Sequence, residues 1–125
     1  MYSPTVREHA INPRNRRELE SPTASGHATY ARCGDKLTMY FQVEDGVLTD
    51  VSFTARGCGP VVAAASLATT MIIGRTVEQA RQLGVFELHK ALGGMPVSKR
   101  HALLLVLQCL AEALELLQPQ SNQQI

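Results

Sequence analysis

Leu37-Thr38-Met39-Tyr40-Phe41-Gln42-Val43-Glu44-Asp45-Gly46-Val47-Leu48-Thr49-Asp50-Val51-Ser52-Phe53-Thr54-Ala55, followed at once by Arg56-Gly57-Cys58-Gly59-Pro60, is the stretch that decides the fold. Leu37, Met39, Phe41 and Val43 alternate with Thr38, Tyr40 and Gln42, the two-residue period of a half-buried strand. Asp45-Gly46 is a hairpin turn. Val47, Val51, Phe53 and Ala55 then give the returning strand an apolar face, with Asp50, Ser52 and Thr54 opposite. After Arg56 the period changes. Gly57-Cys58-Gly59 ends the strand, and Pro60 stands where a first helical residue belongs.

Upstream, Gly26 to Arg32 reads as a weaker third strand that ends at Cys33-Gly34-Asp35. Ser3 caps a short helix that begins at Pro4 and stops at Asn12-Pro13, and a polar segment continues to about Ser25. Downstream, Val61 to Ile73 is Ala-rich and apolar on most faces, a buried helix with Gly74 as its C-terminal cap. Short helices over Thr76–Leu83 and Val85–Leu92 follow. Gly93-Gly94-Met95-Pro96 breaks the chain. Ser98 then caps a last helix, Lys99 to Leu117, whose apolar stripe is Leu103, Leu104, Leu107, Leu110, Ala111, Leu114 and Leu117. Strands first and helices after make an α+β protein, a small antiparallel sheet of about three strands with helices packed on one face.

With 125 residues the chain suits one domain, residues 1–117, with a low-complexity and disordered tail from Gln118 to Ile125. Its formal charge of +1, with neither a basic stripe nor an acidic block, argues against nucleic acid or an anionic membrane as partner. Arg14, Arg16 and Arg17 form a small local exception, a solvated loop or a docking patch. The longest apolar stretch, Pro60 to Ile73, is too short to span a bilayer. Three cysteines cannot all be paired within one chain, and no signal peptide precedes them. The expected compartment is therefore reducing and cytoplasmic.

The three boundary pieces Cys33-Gly34-Asp35, Gly57-Cys58-Gly59 and Lys99-Arg100-His101 carry the chemistry. Cys33, Asp35, Cys58 and His101 offer two thiolates, a carboxylate and an imidazole, a shell suited to zinc or to an iron–sulfur cluster. The neighbouring glycines permit unusual backbone angles and close approach. Cys58 faces the positive end of a helix dipole, a setting that suits a thiolate. Lys99 is a poor complement to its helix dipole and is read as facing an anion or a partner. Cys109 falls among apolar positions and reads as core, while His9, His27 and His89 read as structural.

At these residues the chain resembles the IscU/NifU N-terminal family, the scaffolds of iron–sulfur cluster assembly. Tyr2-Ser3, His9 and Asn12-Pro13-Arg14-Asn15 are similar to the family's opening. Cys33-Gly34-Asp35 resembles its first ligand loop, and Gly57-Cys58-Gly59 with Ala64, Ala65 and Ser66 its second. Met95-Pro96-Val97-Ser98-Lys99-Arg100-His101 stands where the family has Leu-Pro-Pro-Val-Lys-x-His. The resemblance implies a non-enzymatic scaffold or carrier. It would take sulfur from a cysteine desulfurase, hold iron and a [2Fe–2S] cluster on Cys33, Asp35, Cys58 and His101, and pass the cluster to apo-protein recipients. It also implies contact of Pro96–Lys99 with an Hsp70-type chaperone, although Val97 and Ser98 replace the motif's second proline and its valine. Ala102 stands where the family has its third cysteine. The alternatives are a zinc-binding sulfur acceptor for a desulfurase, and a paralogue that keeps only fold and partner surface.

Overall fold

A computed structural model of the chain describes residues 1–117, and the tail read as disordered, residues 118–125, lies outside the described residues. The elements are α1 (Pro4–Ile11), β1 (Ala24–Tyr30), β2 (Asp35–Glu44), β3 (Val47–Arg56), α2 (Gly59–Ile72), α3 (Val77–Arg81), α4 (Val85–Ala91), a 3-10 turn (Val97–Lys99) and α5 (His101–Leu116). The strands form one antiparallel sheet in the order β1-β2-β3. Its core face carries Ala24, Ala28, Leu37, Met39, Phe41, Val51 and Phe53, all buried. On that face α5 lies along β1 and β2, and α2 lies along β3. This is the expected α+β arrangement.

Local chemistry explains most boundaries. The Ser3 hydroxyl accepts the Val6 N–H at 3.0 Å and Pro4 fills the first helical position. Thr76 and Gln79 form a reciprocal capping box on α3. Gly74, with φ +94°, follows α2 in the left-handed conformation that a C-terminal cap demands.

Three expectations are corrected. Ser98 does not cap the last helix. Val97–Lys99 form a 3-10 turn and α5 begins at His101, preceded by Arg100 with helical angles and no side-chain cap. The buried face of α5 is Ala102, Leu103, Leu105, Val106, Cys109, Leu110, Ala113 and Leu114, so Leu104 and Ala111 point outward. In β3, Leu48 is buried in place of Val47, because an irregularity between Gln42 and Val43 shifts the pairing to Val43↔Leu48.

The N-terminal arginines bond to groups of the fold at its surface. Arg14 pairs with Glu8 at 3.0 Å, Arg17 with Asp50 at 2.8 Å, and Arg16 donates to the Ala55 carbonyl at 3.2 Å. The same segment is pinned by His9, whose Nδ1 lies 2.7 Å from Ser66 Oγ, while that oxygen also accepts the Arg14 N–H at 2.8 Å. The Ser66 hydroxyl thus bridges the His9 ring and the Arg14 backbone. Burial, and then the Arg14 charge, lower the His9 pKa from 6.5, against a smaller opposing effect of Glu8. A histidine that folding keeps neutral stabilises the fold above its unfolded pKa and loses that contribution as pH falls. The denaturation midpoint is accordingly expected to fall as pH drops from 6.5, and this slope is expected to flatten in His9→Gln. Urea unfolding at several pH values measures it.

Candidate metal centre

Three chain segments end at one rim of the sheet. After β1 the backbone turns over Ala31–Gly34, closed by Cys33 N–H to the Tyr30 carbonyl at 3.2 Å and Gly34 N–H to the Ala31 carbonyl at 3.3 Å. Gly34 has φ +72°, a left-handed angle that lets the chain reverse into β2. Cys33 is left exposed on this turn. Asp35 opens β2 opposite Tyr30 and is only 2% exposed.

The second segment is the corner from β3 to α2. Cys58 is the N-cap residue of α2, in extended backbone conformation, and is half-buried. Its N–H donates to Asp35 Oδ1 at 3.2 Å, and its Sγ lies 4.0 Å from Oδ2. The preceding Gly57 makes this possible. A Cβ built there would overlap Asp35 Oδ1 and sit 3.0 Å from Asp35 Cγ.

The third is the start of α5. His101 Nε2 lies 3.0 Å from Asp35 Oδ2, within hydrogen-bond distance. The ring also stacks on Tyr30, with centroids 4.2 Å apart and planes inclined by 15°. Asp35 is thus a buried hub that fixes both the backbone of Cys58 and the ring of His101.

Cys33, Asp35 and His101 each offer one ligand atom, and these atoms all lie within 4.8 Å of one another. Tetrahedral zinc with donors at 2.0–2.3 Å needs donor separations of about 3.3–3.8 Å, so the triad lies within a small adjustment of a binding geometry. Cys58 joins it through Asp35 rather than as a member of the triad. The mixed S, O and N donors fit either zinc or an iron–sulfur cluster. Binding at His101 Nε2 would break its bond to Asp35 and leave the ring N–H at Nδ1, while any thiol that binds must give up its proton.

The four residues expected from sequence therefore meet at one rim, three of them in mutual reach. Tyr30, which stacks on His101, has no sequence signal. The contact of Gly57 with Asp35 was hinted at only by a glycine beside a cysteine. Ala102 is fully buried in the core, and Cys109 is also buried, its thiol donating to the Leu37 carbonyl at 3.4 Å. Burial, reinforced by Glu112, pushes the Cys109 thiol up to about 12, as expected of a core cysteine. His27 Nδ1 lies 3.1 Å from Thr38 Oγ1, and His89 Nδ1 accepts the Met95 N–H at 3.2 Å, both structural contacts.

The chain is similar to known proteins over most of its length. Residues 1–123 match the NifU-like N terminal domain. An iron-sulfur cluster assembly scaffold protein IscU 1 from Archaeoglobus fulgidus is 36% identical over 114 residues, covering 91% of this chain and 74% of the relative. An iron-sulfur cluster assembly scaffold protein IscU from Aquifex aeolicus is 34% identical over 116 residues, again covering 91% and 74%. The N-terminal structure of a nitrogen-fixing NifU-like protein from Brucella abortus superimposes with a TM-score of 0.74 at 23% identity, covering 98% of this chain and 95% of that one, and so shares the fold.

Proposed function

The chain belongs to the family of NifU-like N-terminal domains, and from that membership we propose that it is a scaffold on which iron–sulfur clusters are built and from which they are passed on. Iron and sulfur are then its substrates and a [2Fe–2S] cluster its cargo. The observation that carries the proposal is the meeting of Cys33, Asp35 and His101 within 4.8 Å, with Cys58 held against Asp35. Residues 1–117 would act as one functional unit.

Each residue has a role in this reading. Cys33, exposed on its turn, is the thiolate that meets a cysteine desulfurase. It attacks the outer sulfur of the enzyme's persulfide, so that a new S–S bond forms at Cys33 while the enzyme's own thiolate leaves. Cys58 is the second thiolate ligand. His101 is oriented by the Tyr30 stack and by Asp35. Asp35 is a hard oxygen donor among softer sulfurs, which keeps the cargo exchangeable for transfer to apo-proteins. An Hsp70-type chaperone is not part of the proposal, because Val97 and Ser98 break its motif and Val97 lies in the 3-10 turn.

Anaerobic reconstitution with iron(II) and sulfide is expected to give visible cluster absorbance in the natural chain. The yield is expected to drop at least about tenfold in Cys33→Ser. No absorbance in the natural chain, together with its appearance in Ala102→Cys, would mean that the natural protein has lost the chemistry. A zinc-binding sulfur acceptor is the second reading, favoured by the mixed S, O and N triad. Stoichiometric zinc in protein purified without added metal, with no cluster on reconstitution, selects it.

A further inference from the structure

The outward face of the sheet holds a cluster of charge that the candidate metal centre does not use. Lys36 and Arg56 are direct partners across β2 and β3, and both are exposed. One step further in, Thr38 faces Thr54. These four side chains, with Ala55, line an open cleft of about 340 Å³ beside the rim that carries Asp35 and Gly57. Like charges directly opposed in a sheet destabilise it. Among the described residues neither cation forms an ion pair, whereas Arg14, Arg17, Arg75 and Arg81 each have a carboxylate partner.

The surroundings extend the pattern. Arg32, on the Cys33 turn between β1 and β2, is exposed as well. Asp35, the acid at this end of the strands, is buried and committed to His101 and Cys58. The remaining strand acids lie towards the other end, as Glu44 and Asp45 at the hairpin and Asp50 against Arg17. Eight residues separate Lys36 from Glu44, about 27 Å along the strand. The chain is nearly neutral, yet one end of its sheet is cationic and the other acidic.

We propose that this cleft and its rim are the electrostatic part of a docking surface for a partner protein that presents clustered carboxylates. The cleft is open and its cations are side chains in water, where a single contact contributes little. A free anion has no cage there, whereas several carboxylates on one body engage Lys36, Arg56 and Arg32 together. An extended polyanion such as duplex nucleic acid would run along the strands into the acidic end. The two threonine hydroxyls already bond within the sheet, Thr38 with His27 Nδ1 at 3.1 Å and Thr54 with the Tyr40 hydroxyl at 3.2 Å, so the cations carry the recognition.

The surface is independent of any bound metal, so its test uses the full chain with a chelator present. Failure here then leaves the scaffold reading untouched, and failure of cluster assembly leaves this surface untouched. The probes are oligo-glutamate, oligo-glutamine, inorganic phosphate and a short DNA duplex, followed by backbone amide shifts. Oligo-glutamate is expected to shift residues around 32–38 and 54–56, weakening as salt rises, while oligo-glutamine does not. Lys36→Glu is expected to weaken oligo-glutamate binding about threefold to fivefold and, by pairing with Arg56, to raise Tm by about 2 °C. Glu44→Gln, which changes net charge at the far end, is expected to leave binding within about twofold. The proposal is overturned if affinity follows net charge regardless of position, if shifts map elsewhere, or if phosphate or the duplex binds as tightly as oligo-glutamate.

Discussion

Gly26→Ala is expected to destabilise the fold by about 3 kcal/mol, at the upper end of what one added methyl costs in a packed interior. Gly26 lies in β1, where α5 crosses the sheet. A Cβ built on it would land on the Cys109 carbonyl oxygen and come within 2.7 Å of the carbonyl carbon. Neither atom is the movable end of a side chain. Both belong to the middle of α5, so relief requires the helix to move away from β1. That displacement would also disturb the Glu112 carboxylate that accepts the His27 N–H at 2.6 Å and the Cys109 thiol on Leu37. A drop in Tm of about 10 °C follows for a domain of this size. Gly59→Ala is the control, because its Cβ would meet only Ala10 Cβ at an ordinary 3.5 Å. It is expected to change stability by less than about 1 kcal/mol. Urea denaturation of both variants with unchanged m-values makes the comparison, and a Gly26→Ala midpoint equal to the natural one would mean that α5 does not seat on β1 this closely.

That contact also explains which parts of the fold were legible in the sequence. The strands of the hairpin, the Ser3-Pro4 start, the Thr76 cap and the Gly74 stop are specified by neighbours in sequence, so their residue types reveal them. The face of α5 is not. Leu103, Leu104, Leu105, Val106 and Leu107 are apolar in succession, and such a helix has no unique buried side from periodicity alone. The close seat on Gly26 and the shared edge with β2 choose it, turning Leu105 and Val106 inward and Leu104 outward. The start of α5 was hidden for a related reason. Ser98 has the chemistry of a cap, but the backbone between Pro96 and Arg100 closes as a 3-10 turn through Lys99 N–H to the Pro96 carbonyl at 2.9 Å.

The candidate site was legible in location and only partly in construction. Cys33, Asp35, Cys58 and His101 each sit at the end of an element, and antiparallel strands with helices returning over them bring such ends to a common rim. What sequence does not reveal is the hierarchy among the four. Asp35 reads as one ligand of a shell, yet the fold buries it and makes it the partner of both Cys58 and His101. His9 and Ser66 are 57 positions apart, so nothing local signals their bond. Ser52 lies on the outward side of β3 by alternation but is fully buried, its hydroxyl without a partner among the described residues.

Asp35→Ala is expected to reduce zinc affinity of the chain at least about tenfold and to lower stability by about 2 kcal/mol. Two effects contribute, and further variants separate them. Removing the carboxylate deletes an oxygen donor from the triad. It also leaves the Cys58 N–H and the His101 ring without the acceptor that orients them. Asp35→Asn keeps the shape and one carbonyl oxygen, so it is expected to retain most of the stability while binding zinc nearly as weakly as Asp35→Ala. Gly57→Ala changes no donor at all. Its methyl would occupy the space of Asp35 Oδ1 and push the carboxylate off its position. If preorganisation by Asp35 sets the affinity, Gly57→Ala weakens zinc binding although Cys33, Asp35, Cys58 and His101 are all present. Competition with a chromophoric chelator measures the affinities. Natural affinity in both Asp35 variants would remove Asp35 from the ligand set and leave it a purely structural hub.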